Sequence, residues 1–306
     1  MSSGALIHGA HDGGTTLWWV LVVLVIAVPS VWYAGAVHAR RAGGRTWSGR
    51  RTTSFVLGVL LVAVAFSPPA QAAAHGDPRG HMAQHLVLAM FAPLALVLGA
   101  PMTLLLGTLR SRGRRRASRL LRSRLVHGLA HPLTAAVFDM GALFVLYLTP
   151  LYALAAGNAW LHSLVAAHFL AAGYLFTWSI AGADPAPRRP SLGTRVTVLV
   201  AAAAAHAYLA KVLYAGAGAL PPGSSDDAAA ARSAALLMYY GGDLAEILLA
   251  VALFAAWYRR RRPVPSSPAA TIADVGPPVE EVCLDLHHRQ VPGPARARRS
   301  MARDQP

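Results

Sequence analysis

Seven long apolar runs divide the chain, at roughly residues 17–38, 54–73, 82–107, 133–155, 160–182, 195–217 and 234–258. Crossing the hydrocarbon of a bilayer takes about 20 helical residues, with a range of about 17 to 25. The pattern therefore predicts an all-α, polytopic integral membrane protein with seven transmembrane helices. The third run is interrupted by Pro93, Gly99 and Pro101. It is expected to cross as far as Gly99, with "PMTLLLG" then lying along the interface or forming a kinked last turn. Residues 50–74 imitate a signal peptide and cleavage site, but they follow another apolar run and read as a membrane helix. The organisation expected is a short extracytoplasmic N-terminus (1–16), a seven-helix membrane domain (17–258) and a disordered basic tail (259–306).

Charge gives this pattern an orientation. Of 28 lysines and arginines only Lys211 is lysine, and the arginines gather in alternate loops. Arg40, Arg41, Arg45, Arg50 and Arg51 separate the first two runs, and eight arginines lie within 110–124. Arg188 and Arg189 follow the fifth run, and four arginines start at Arg259. The opposite loops offer His8, His11 and Asp12, then Asp77 and Arg79, then Asp226, Asp227 and Arg232. By the positive-inside rule the N-terminus lies outside and the C-terminus is cytoplasmic, in the plasma membrane. A net charge of +15 distributed in this way marks topology, not a nucleic-acid footprint. The composition agrees, with 55% hydrophobic and 13% charged residues. The single cysteine, Cys283, excludes a disulfide within the chain and a CxxC metal site.

Polar residues inside spans are the informative ones, because they face the bundle interior and mark functional sites. Asp77 followed by Pro78 reads as an N-cap and first-turn pair, so the third helix starts there. His81 and His85 then lie at i and i+4 on one face, a spacing at which two imidazoles share a metal. His75 precedes them on the entering loop and is expected to be a weaker, entrance ligand. His168 on the fifth helix falls on the order of 10 Å below the outer surface, and His206 on the sixth at about 15 Å. Asp243 and Glu246, at i and i+3 on the seventh, fall at about 10 to 15 Å. Plainer readings stand beside these. His81 and His85 can be a wet helix end, His168 and His206 hydrogen-bonded glue between helices, and Asp243 or Glu246 a partner of Lys211. Asp139 reads as a structural partner. Met82, Met90, Met102 and Met238 are potential soft ligands, though such methionines usually pack.

Four stretches, "HGDPRGHMAQHLVLAMFAPLALVLGAP", "HFLAAGYLFTW" running into "GADPAPRRP", "HAYLAKVLY" and "LMYYGGDLAEILLAVALFAAWY", span residues 75 to 258. With them the chain resembles the CtaG-like family of cytochrome c oxidase assembly factors, the seven-helix group tied to the caa-type oxidase. The resemblance implies a non-enzymatic role in maturing a haem–copper terminal oxidase of the respiratory chain, handling copper for its metal centres. The implied partners are oxidase subunits, membrane lipid and other copper chaperones. Position by position it picks out His81, His85, His168, His206, Asp243 and Glu246, while His162 has no clear place. A cluster of imidazoles open to the outer face suits copper better than magnesium or calcium. Asp243, Glu246 and Lys211 would then support the ligands from behind.

Two other functions use the same residues. A haem-handling protein would draw an axial pair from His85, His168 and His206. A proton-coupled transporter would relay through Asp243, Glu246, His206 and Lys211. A retinal-type receptor fits poorly, because Lys211 lies on the sixth run and not the last. No buried Ser/His/Asp set supports a hydrolase.

Overall fold

The computed structural model describes residues 9–182, 184 and 189–261. The tail beyond residue 261, with Cys283, and the first eight residues lie outside the described residues. Helices run in the order α1 (Gly9–Ala42), α2 (Gly49–Ala65), α3 (Pro68–Gly76), α4 (Pro78–Leu86), a π-helical turn (Val87–Phe91) and α5 (Ala92–Leu98). They continue through α6 (Pro101–Thr108), α7 (Ser111–Leu121), α8 (Arg124–Leu129), α9 (Pro132–Leu148) and α10 (Leu151–Ala156). The last three are α11 (Ala159–Ala181), α12 (Leu192–Ala215) and α13 (Ala228–Arg261). The described residues are otherwise turns and loops, with no β-strand.

Among the described residues five helices are long and apolar enough to cross a membrane: Val22–Ala42, Pro78–Leu98, Ala159–Ala181, Leu192–Ala215 and Ala228–Arg259. A sixth would be the pair α2 and α3, which meet at a 56° bend. That bend has a cause in the sequence. Pro68 and Pro69 lack amide donors and cannot continue α2, but they start a new helix after Ser67. Pro132–Leu148, the fourth expected span, is a 17-residue apolar helix. It stops where Thr149 turns extended before Pro150, as a residue preceding proline tends to do. Residues 151–156 then form α10 on their own.

Two expected loops are partly helical. The arginine-rich segment forms α7, and α13 begins at Ala228, within the loop expected between the runs 195–217 and 234–258. The reason for the second start is Asp227, whose Oδ2 accepts the amides of Ala229 and Ala230.

The Pro78–Leu98 helix sits at the centre. It is 61% buried, against 22% for α1, and it packs on α2, α3, α11 and α13. Its π turn follows from Pro93, because the carbonyl of Ala89 lies four residues earlier and receives no amide from a proline. Gly173 of α11 rests over that carbonyl, so closely that a Cβ there would stand 1.9 Å from the Ala89 oxygen. At the far end of the helix Asp184 takes the place of a cap for α6. It accepts from the Thr103 amide (2.7 Å), the Thr103 hydroxyl (2.6 Å) and the Met102 amide (3.3 Å). Arg189 in turn donates to the Asp184 carbonyl. Nearby, Tyr33 stacks on Phe55 at 3.8 Å and donates to the Gly99 carbonyl, tying α1 and α2 to the end of α5.

Glycine to alanine normally stabilises a helix interior by about 0.5–1 kcal/mol. At Gly173 the sign should reverse. Gly173→Ala should lower stability by roughly 1–3 kcal/mol, the range for overpacking, read as a lower thermal midpoint in detergent. An unchanged or raised midpoint would show that α11 does not lie on the π turn.

Candidate functional site

The start of α4 is built by Asp77. Its Oδ1 accepts the Arg79 amide at 2.8 Å, and its carboxylate pairs with the Arg79 guanidinium at 2.7 Å. Those bonds and the Arg79 charge hold the Asp77 carboxyl below the usual carboxylate range. From that start α4 directs His81, Gln84 and His85 into the bundle. His81 is half-buried and His85 buried, one turn deeper.

Around them the structure assembles a file of imidazoles. The His75 ring centre lies 4.6 Å from that of His162, and His162 lies 5.7 Å from His81. Tyr147 stands edge-on to both His81 (6.3 Å) and His85 (6.4 Å), and Tyr152 is 4.9 Å from His81. α13 brings His206 to the inner end of α4, because its adjacent glycines pack on both, Gly241 on Leu86 and Gly242 on His206. His206 Nδ1 is 3.8 Å from the Glu246 carboxylate, and Glu246 acts electrostatically on Asp139. A ring passes from solvent to core: His75 is exposed, while His206 is 1% exposed. The deepest member is fixed by α13, since a Cβ on Gly242 would stand 2.1 Å from His206 Cε1. Only glycine allows that approach.

The hydrogen bonds assign protons at the mouth. Gln84 gives its amide nitrogen to the Ala65 carbonyl at 2.8 Å, so its Oε1 accepts from His162 Nε2 at 3.2 Å. His162 thus keeps a lone pair on Nδ1. His75 Nδ1 donates to the Gln71 carbonyl at 2.7 Å, leaving Nε2 as its lone-pair nitrogen. Deeper in, both ring nitrogens of His85 and of His206 are buried without a hydrogen-bond partner among the described residues. Buried polar atoms are normally paired, and an unpaired imidazole in this setting is a competent soft-metal donor. Among the described residues, however, no three His, Cys, Asp or Glu side chains are arranged to hold one ion together.

Several sequence expectations change place. His75 lies on α3 and not on a loop. His168 does not join the file; its exposed ring donates from Nε2 to the Phe138 carbonyl of α9 at 3.2 Å, the interhelical glue reading. Lys211 is exposed with Nζ 5.5 Å from the Tyr239 ring centre, and no ion pair joins it to Asp243 or Glu246 among the described residues. Asp243 sits one turn from Glu246 and acts on its charge. Met82 and Met238 are buried, and Met82 Sδ receives the Tyr147 hydroxyl at 3.8 Å. His162 is the residue that the sequence reading left out. Its level is set by Asn158, whose Oδ1 accepts the Trp160 and Leu161 amides and starts α11 four residues earlier. An Asn at that position was the available signal.

The arrangement defines a bundle of helices, several suited to crossing a membrane, with histidines filed inward from one end. Residues 30–260 match the family described as the cytochrome c oxidase caa3 assembly factor. The chain belongs to that family. It is also 36% identical over 190 residues to uncharacterized proteins of Mycobacterium bovis and Mycobacterium tuberculosis, covering 59% of this chain and 28% of each relative. A protein of Mycobacterium leprae is 36% identical over 184 residues, 57% of this chain and 28% of the relative. The chain therefore matches little more than a quarter of the length of these curated relatives. No solved structure matches.

Two outcomes follow from the mouth. Gln84→Leu should cost roughly 1–3 kcal/mol by leaving the Ala65 carbonyl and His162 unpaired, and should shift the ¹⁵N resonances of His162 as its tautomer is freed. Unchanged resonances would remove Gln84 from the site. The depressed Asp77 carboxyl contributes stability that is present above its ordinary value of about 3.9 and lost only as pH falls through the lowered one. Exchange protection of the His81 amide, which bonds the Asp77 carbonyl, should stay level from pH 7 to about 5 once intrinsic rates are removed. A decline within that window would contradict the cap.

Proposed function

We propose that this chain assists assembly of a haem–copper cytochrome c oxidase by carrying copper inward from the outer aqueous face of the plasma membrane. The observation that carries the reading is the file of imidazoles from exposed His75 to buried His206, with unpartnered nitrogens at its deep end. Copper is the cargo. Imidazole nitrogens with a thioether nearby suit it, and a carrier has to release its ion, so partial donor sets in series serve transfer better than one closed cage. In this reading His75, His81 and His162 receive the ion, and His85 and His206 take it deeper. Glu246 and Asp243 orient His206 and exchange protons with it as metal displaces them. His168 braces α11 against α9 without touching the ion.

The membrane arrangement belongs to the same proposal. Seven spans result if the bent pair α2–α3 and the 17-residue α9 each cross, with the N-terminus outside and the arginine-rich loops in the cytoplasm. That arrangement puts the α3–α4 corner and its histidines on the outer face. The work done is binding and transfer, with no covalent chemistry required of the chain.

The test is maturation of the oxidase. Replacing His81 and His85 together by alanine should reduce oxidase activity at limiting copper to the level of a deletion strain, while the protein still accumulates in the membrane. Normal oxidase activity in that strain would reduce these histidines to a wet helix end.

A further inference from the structure

Beside the histidine file the outer end holds a small cleft of ≈ 30 Å³, lined among others by His81, Met82, Tyr147, Tyr152, Pro221 and Asp226. The segment from 216 to 227 that closes it connects α12 to α13. Its two adjacent acids have different employment. Asp227 faces the helix, where Oδ2 receives two amides of α13. Asp226 faces the cleft, and its Oδ2 is buried without a hydrogen-bond partner among the described residues. The neighbouring Ser224 hydroxyl donates to the Pro221 carbonyl at 2.9 Å, and among the described residues no hydrogen bond compensates Asp226 Oδ2. A half-buried carboxylate left so is costly unless a cation approaches it.

The surrounding charges point the same way. Asp77 is the other acid whose charge reaches Tyr152 and Asp226. It is already bound by the Arg79 guanidinium through both carboxylate oxygens. Asp226 is therefore the carboxylate of this end that remains uncommitted. Burial, and then the charge of Asp77, raise its affinity for a proton, which agrees with a carboxylate lacking its counter-ion. No arginine or lysine is among the residues that line the cleft. The donors gathered there are a carboxylate oxygen, the His81 imidazole and the Met82 thioether, a set that favours a transition metal over magnesium or calcium.

We propose that Asp226 is a metal-binding residue, forming with His81 and Met82 an entry site in this cleft that captures a soft transition-metal cation from the aqueous side before it reaches His162 and His85. The inference rests on the copper-carrier reading and adds to it the point of entry. The negative carboxylate draws the ion in. His81 belongs to both the cleft and the file, and so connects them.

The experiment titrates the purified full chain with Cu(I) buffered by a chromophoric chelator, beside Asp226→Asn, Met82→Leu and the His81→Ala/His85→Ala pair. Asp226→Asn keeps the shape of the side chain, and circular dichroism with a thermal melt verifies that each variant folds. Expected is a loss of Cu(I) affinity of about 10-fold in each of Asp226→Asn and Met82→Leu, and a slower transfer of Cu(I) from the chelator in both. If Asp226→Asn binds and loads like the wild type while the histidine pair loses binding, the entry site is wrong and the carrier reading stands. If the wild type itself binds no Cu(I), both fall.

Discussion

A helix that carries two histidines and a glutamine within five residues cannot face lipid, and the rest of the bundle is arranged around that requirement. Pro78–Leu98 is enclosed by α2, α3, α11 and α13, because polar side chains in an apolar setting have to find partners or an interior cavity. Pro93 imposes a second demand on the same helix by withholding a donor from Ala89. The π turn and the flat approach of Gly173 answer it. The register of α11 against α4 then follows, and with it the position of His162 beside Gln84. The site is a consequence of how one helix is surrounded.

Packing also separates the histidines by task. His168 is exposed and donates from Nε2 to a carbonyl of α9, away from the file. His75 and His162 each have one nitrogen committed and the other free, through Gln71 and Gln84. Among the described residues His85 and His206 have neither nitrogen hydrogen-bonded. This graded state accords with the proposed movement of an ion from a wet mouth to nitrogens in the interior that have no competing hydrogen bond. In the interior Gly242 packs on the His206 ring, whose Nδ1 lies 3.8 Å from the Glu246 carboxylate.

Much of this was legible in the sequence, and the rest was not for definable reasons. Hydropathy located the cores of α1, α4–α5, α11, α12 and α13, because length and apolarity are local properties. The Asp77-Pro78 start of α4 was readable from capping alone. The break at Pro68 and Pro69 was available too, but a purely apolar count passes over prolines that lie within a run. Convergence was not readable. Depth along a helix follows from counting residues, whereas the direction of a side chain depends on helix rotation, which is set by contacts such as Gly173 on Ala89. So His168, at a suitable depth, turned outward, and His162, without a clear place, turned inward. Asp226 was placed in a loop of polar composition, and only the folded chain distinguishes it from Asp227.

The central claim is that imidazoles from this file bind copper together. X-ray absorption at the copper edge of the Cu(I)-loaded wild-type chain tests it most directly. The account predicts a nitrogen shell at about 2 Å with the outer-shell scattering of imidazole rings, the number of rings falling when His81 and His85 are replaced by alanine. A spectrum free of imidazole scattering, or one unaltered by that replacement, would contradict it.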